Sequence, residues 1–460
     1  MVPEIAPRSL TPRYPHATLL RVNADRLARV EWLLVAAGLA LLFFFHFHDV
    51  SGDARPRYEA LVGLIEHGVV STTPYSMVGP LVSTPVYLLG RVYASPDWWL
   101  ARFTAILLAL GLVVAYRLTR REDLTIVRRF LMLIVAASMF PHYVRGYGPE
   151  AFTAVFVGVG LLAVHSGHAL LGWTAAVIGV ANTPATIVGL ALAAGAHAWR
   201  TRRVRPLVSV AAAAGILLLE SWVRRGDPFV SGYEGNRGAE TVLPYSGLPG
   251  FSYPFFFGVL SILLSFGKGL VFYAPGLLLW TRETAARVSG RLRATQGLWL
   301  WFVAGLVLVY ARWWAWYGGW TWGPRYFLIA SLPASLALAV RLRRPAEASL
   351  GSLTATAAAL TLSAWVGVNG AAFDQRTLAV CHDNHYALEF LCWYVPEFSA
   401  LWRPFVVPSA PLVTQGTYGV YCGVVYLVLM APLVSEFARR TWSSLAPGGA
   451  AARALAGWRF

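Results

Sequence analysis

Asp49 and Asp53 stand in the segment His46–Tyr58, beside His48, Arg55 and Arg57. A carboxylate flanked by arginines can take a proton from a hydroxyl or organise a cationic group. Asp53 can equally cap a helix that begins near Arg55. Glu150 closes a second segment, Tyr143–Glu150, with Arg145 and Tyr147 inside it. It can serve as a second acid facing the same cavity, or it can simply complement the helix dipole behind Pro149. Lys268 lies between Gly267 and Gly269, shortly before Tyr273 and Pro275. Glycines let the backbone approach a ligand and an ammonium supplies a point charge for phosphate, although a lysine here can also snorkel to lipid headgroups. Trp316, Tyr317, Gly318 and Gly319 precede Gly323-Pro324-Arg325. The arginine fork suits a pair of phosphate oxygens, and the aromatics suit either a sugar face or an interfacial belt. Cys381 and Cys392 lie eleven residues apart, with His382, Asp383 and His385 between them. Outside the cell a disulfide closing a small loop is favoured over metal ligation at that spacing, and His46 and His48 with Asp49 could bind metal but are read as simply interfacial.

The elements that position these residues are set by composition. Of 460 residues, 57% are hydrophobic and 13% charged, about half the charge of a soluble domain. The mean hydropathy is +0.56. Repeated apolar runs near the length that crosses a bilayer predict an all-α polytopic membrane protein, which excludes a cytosolic enzyme and a disulfide scaffold. The net charge of +16 comes from short basic clusters between apolar runs, so it reflects membrane topology and implies no nucleic acid. Three cysteines are too few for a disulfide framework, and no cleavable signal precedes the first apolar run.

Twelve crossings are expected, at 31–48, 98–116, 130–143, 150–166, 169–183, 184–199, 206–222, 254–281 (broken), 297–313, 325–340, 350–370 and 415–437. With the N-terminus inside, the segments 1–30, 117–129, 200–205, 282–296, 341–349 and 438–460 hold 25 of the 38 basic residues. The positive-inside rule therefore predicts both termini, including the tail 438–460, to be cytoplasmic. It places the long loops 49–97, 223–253, 314–324 and 371–413 outside, in a single domain spanning 1–460. In the first loop, Tyr58, Leu61, Val62 and Ile65 predict an amphipathic surface helix between Pro56 and Gly68. The stretch Met77–Leu89, interrupted by Pro80 and Pro85, reads as a second, re-entrant or interfacial helix.

Together these pieces resemble the GT-C class of membrane glycosyltransferases, in particular bacterial relatives of the polyprenyl-phosphate-sugar-dependent mannosyltransferase and aminoarabinose transferase group. Gly52–Tyr58 resembles the first-loop pattern, with an acid just past the first span. Arg145–Glu150 is similar to the second-loop segment, and the Gly267–Pro275 and Trp316–Tyr326 segments resemble recurring motifs of bacterial members. The resemblance covers most of the chain and implies an inverting transfer from a polyprenyl-phosphate-linked sugar to a hydroxyl of a glycan, lipid or protein at the outer face of the plasma membrane. It implies Asp53 as base, with Glu150 and Asp49 assisting. Lys268, Arg325, Arg57 and Arg145 would hold the donor phosphate, and Tyr58, Trp316, Tyr317 and Tyr273 would contact substrate. No cofactor is implied with certainty: Asp49 and Asp53 are four apart, and no adjacent acidic pair or Asp-x-Asp of the kind found in the family's first loop points to a divalent metal. The rival readings are a multi-span transporter or flippase, for which no half repeat is visible, and a glycan ligase or polymerase.

Overall fold

The computed structural model describes residues 15–319, 321–373, 375–407 and 412–445. Trp320, Asp374 and most of the tail, 446–460, lie outside the described residues. All twelve apolar runs return as helices: α1 (Pro15–Phe44), and, after the first-loop helices α2 (Ala54–His67) and α3 (Val78–Val92), α4 (Phe103–Thr119), α5 (Leu124–Ala136), α6 (Pro149–His165), α7 (Ala169–Asn182), α8 (Ile187–Thr201), α9 (Leu207–Arg225), α10 (Phe255–Leu264), α11 (Gly290–Tyr310), α12 (Ser331–Arg343), α13 (Leu350–Ala372) and α14 (Val413–Leu445). The chain is an all-α polytopic membrane protein. Six segments among the described residues are long and apolar enough to cross a bilayer: 25–44, 207–225, 290–310, 325–343, 350–372 and 413–443. The helices α4, α6, α7 and α10 are shorter but equally apolar.

Boundaries shift where capping overrides hydropathy. The run predicted at 130–143 begins instead at Leu124, because the Asp123 carboxylate accepts from the Thr125 amide and starts α5 six residues earlier. The broken stretch 254–281 is α10, a four-residue turn Leu270–Tyr273 and a 3-10 segment Pro275–Leu279. Every residue of α12 from Ser331 to Leu342 is buried, which makes it the axial element, packed on α5 and on the Pro275–Leu279 segment.

The first loop folds as two helices. Gly68 ends α2 in the left-handed conformation, φ 65°, with its amide on the Leu64 carbonyl, the usual glycine stop. Tyr58, Leu61 and Val62 pack into a satellite cluster with Tyr87, Phe103, Tyr147 and Phe152, while Ile65, the fourth member of the period, is exposed. Pro80 falls in the first turn of α3, where its missing amide costs nothing, and Pro85 is accommodated inside the helix.

The long loops gather at one end of the bundle. The opposite end is tied by arginine pairs: Arg128 and Arg129 with Glu31, Arg343 with Asp123, and Arg341 with Glu283.

Candidate functional site

Asp53, Arg325, Glu150, Arg57 and Tyr75 converge at the loop-bearing end. Arg325 Nη1 donates to Asp53 Oδ2 at 2.7 Å, and the Tyr75 hydroxyl donates to Asp53 Oδ1 at 3.0 Å. Asp53 makes no side-chain capping bond to α2 although it is the N-cap residue. Its carboxylate is thus committed to the cluster and not to the helix. Burial works against ionisation of Asp53. The Arg325 charge and hydrogen bond, helped by Tyr75 and Arg57, outweigh that and hold it below the usual carboxylate range. Glu150, in the first turn of α6, faces Arg325 Nε at 3.6 Å from the other side. Both also line a cavity that runs back toward Thr153, Thr183 and Thr186.

Arg57 sits beside this pair on α2. It is 7% exposed, its guanidinium lies 4.6 Å from the Tyr75 ring centroid, and its Nε and Nη1 are shielded without a hydrogen-bond partner. A buried guanidinium nitrogen without an acceptor is costly. Two such nitrogens on one guanidinium leave Arg57 with donors that an anion would satisfy.

Arg325 is placed by the loop before it. Gly318 has φ 75°, and a side chain there would collide with Arg325 Cγ at 2.6 Å. Glycine is therefore needed twice over, for conformation and for space. The same loop is nailed down by Lys268, whose ammonium donates to the Gly319, Thr321 and Gly323 carbonyls. An ammonium has three protons, so Lys268, 3% exposed, has none left for a phosphate. The two glycine motifs that the sequence presents separately form one device in which Lys268 shapes the loop that carries Arg325.

The other residues singled out in the sequence lie apart from the Asp53 carboxylate in varying degrees. Asp49 accepts from the Ser51 hydroxyl at 2.6 Å and bridges to Gly146 through its backbone. Arg145 donates to the Phe373 carbonyl at 3.0 Å and lies over Phe47. Tyr58 faces Arg55 and the satellite cluster. Trp316, Tyr317 and Tyr273 are buried. Tyr317 stacks on Trp393 at 3.8 Å and donates to Glu389, while Tyr273 packs edge-on against Trp322. They form the floor beneath the last loop and not an open face for a sugar. Cys381 and Cys392 are joined as a disulfide. The histidines near Asp49 diverge, His46 to the Pro141 carbonyl and His48 to the Leu42 and Ala101 carbonyls.

Tyr75, Glu389 and the pair Glu220–Arg224 were not picked out from the sequence. Tyr75 carries no local motif. Glu220 and Arg224 had one readable signal, an acid and a base four apart at the end of an apolar run.

No family model matches the chain, and no curated protein sequence matches it. Among solved structures it is similar to ArnT from Cupriavidus metallidurans in the apo state, at 16% identity, with 88% of this chain and 77% of that chain covered and a TM-score of 0.48. It is also similar to ArnT from Cupriavidus metallidurans bound to undecaprenyl phosphate, at 14% identity, covering 87% and 76%, with a TM-score of 0.47.

Proposed function

We propose that the chain is an inverting glycosyltransferase of the GT-C class, moving a sugar from a polyprenyl-phosphate donor to a hydroxyl acceptor at the outer face of the membrane. The observation that carries the reading is the Asp53–Arg325 ion pair standing beside the unpartnered, buried guanidinium of Arg57. The order of the first-loop, second-loop and Gly-Pro-Arg motifs along the sequence agrees with it.

In this reading the donor phosphate enters between Arg57 and Arg325. As Arg325 turns toward the phosphate, Asp53 loses the partner that depresses its basicity. The carboxylate then accepts the proton of the acceptor hydroxyl, and the oxygen forms its bond to the anomeric carbon. The bond from that carbon to the phosphate oxygen breaks on the opposite face, and its electron pair leaves with the polyprenyl phosphate. Charge developing on the leaving group is met by two guanidinium groups, which is electrostatic catalysis at a preorganised site. Glu150 holds Arg325 from behind, and Lys268 acts only by keeping the loop in shape.

The test is transfer from polyprenyl-monophosphate-linked sugars in proteoliposomes. Asp53→Asn keeps the size of the side chain and loses about 100- to 10,000-fold in rate, the range for a general base. Arg57→Met and Arg325→Met each weaken donor binding by about 1.5–3 kcal/mol, the worth of one charge-assisted contact. Turnover by Asp53→Asn within a few-fold of wild type would remove Asp53 from the chemistry.

A further inference from the structure

Residues 69–77 join α2 to α3 with no helix or strand of their own, so their carbonyls need partners from elsewhere. Those partners come from one turn of α9. Arg224 donates through Nε to the Ser71 carbonyl at 2.7 Å, through Nη2 to the Thr73 carbonyl at 2.8 Å, and through Nη1 to the Tyr75 carbonyl at 2.7 Å and to Glu220 at 2.6 Å. Glu220 in turn accepts from the Met77 amide at 2.7 Å and the Ser76 hydroxyl at 2.9 Å. One ion pair, joined by Arg225 whose Nη2 donates to the same Thr73 carbonyl at 2.5 Å, thus grips both the carbonyl side and the amide side of a single segment. What it presents is Tyr75, with its hydroxyl on Asp53 and its ring over Arg57.

We propose that residues 71–77 are a strap latched by Glu220 and Arg224, and that this pair acts as positioning residues: latched, the strap sets Tyr75 on Asp53 and covers Arg57, and its release opens Arg57 to the phosphate of a prenyl-linked phosphate ester. The inference rests on the reading of Arg57 as the phosphate receptor. The Tyr75 hydroxyl then occupies at Asp53 Oδ1 the place where an acceptor hydroxyl would donate. Latch and substrate compete for the same two side chains.

Arginine modification by phenylglyoxal, mapped by mass spectrometry on the full-length protein in detergent, reads the strap without any need for the natural substrate. Arg55, two residues away on α2 with its side chain 53% exposed, is the internal reference. In wild type Arg57 reacts far more slowly than Arg55. Arg224→Met removes several charge-assisted bonds and raises the Arg57 rate by about tenfold or more, with the Arg55 rate unchanged. Arg224→Lys, which keeps the charge and part of the bonding, falls between the two. Undecaprenyl phosphate then protects Arg57 at lower concentration in Arg224→Met than in wild type, the opposite of what a merely weakened fold would give. An Arg57 rate in Arg224→Met as slow as in wild type overturns the latch. Should Arg224→Met lose its thermal transition, Glu220→Gln decides by the same ratio of Arg57 to Arg55. Exposure of Arg57 in the variant with no protection by undecaprenyl phosphate at any concentration would leave the latch standing and remove the phosphate role assigned to Arg57.

Discussion

Lys268 and Arg57 show how little a residue's type says about where its charge is spent. Both are buried cations at the loop-bearing end, yet the lysine has every proton on a carbonyl while the arginine has two nitrogens without a hydrogen-bond acceptor beneath the Tyr75 ring. The sequence marks Lys268 as unusual, since it is the single lysine among 38 basic residues. It does not tell a lysine that binds phosphate from one that holds a loop, because both want flanking glycines. The difference is measurable. Replacing Lys268 with Met leaves the Gly319, Thr321 and Gly323 carbonyls without their donor and costs on the order of 2 kcal/mol or more of stability. The expected outcome is a lower melting temperature together with lost activity, whereas Arg57→Met loses donor affinity at nearly unchanged melting temperature. A Lys268→Met protein that melted like wild type would return the ammonium to the phosphate.

At the scale of elements, the last loop is held by contacts that no local pattern announces. The Gly267 amide donates to the Trp393 carbonyl at 2.9 Å, the Ser399 hydroxyl to the Phe266 carbonyl at 2.9 Å, and Tyr317 to Glu389 at 2.8 Å. Residue pairs seventy to more than a hundred positions apart carry no periodicity, and Glu389 was therefore invisible in the sequence although it is a buried acid of this loop. The amphipathic helix α2, by contrast, was legible, because its period and its glycine stop are local. Burial pushes Glu389 up to about 7, against the opposing pull of the Tyr317 hydrogen bond and the Lys268 charge. Its ordinary value is 4.5, so between there and about 7 the folded protein keeps a proton that the unfolded chain has released. Stability therefore falls as pH rises through that window and levels off above it. Thermal melts from pH 4.5 to 8 check this: wild type loses stability across the window relative to Glu389→Gln, in which the dependence is missing. Parallel curves for the two proteins would mean that Glu389 does not change its charge there.

For the whole molecule, composition alone was enough to find the helices, because a span is selected by length and apolarity. It could not show that α12 is buried along its length while α1 and α9 face outward, since all three read as apolar runs. Orientation is a separate matter of charge. By sequence the segments 1–30, 117–129, 200–205, 282–296, 341–349 and 438–460 hold 25 of 38 basic residues, and Arg202, Arg203 and Arg205 stand between α8 and α9. Cations are retained on the cytoplasmic side during insertion, and on that ground we propose that Asp53, Arg325 and the last loop lie outside. A cysteine at Val406, 58% exposed in the last loop, tests the assignment in a Cys422→Ser background that keeps the Cys381–Cys392 bond. A membrane-impermeant maleimide is expected to label Val406→Cys in intact cells and Arg203→Cys only after lysis. Glycosyl acceptors of the envelope can reach Asp53 only with the first pattern. The reverse pattern would put the Asp53–Arg325 pair among cytoplasmic substrates, and the proposed transfer at the outer face would be wrong for the molecule as a whole even if every residue-level contact were right.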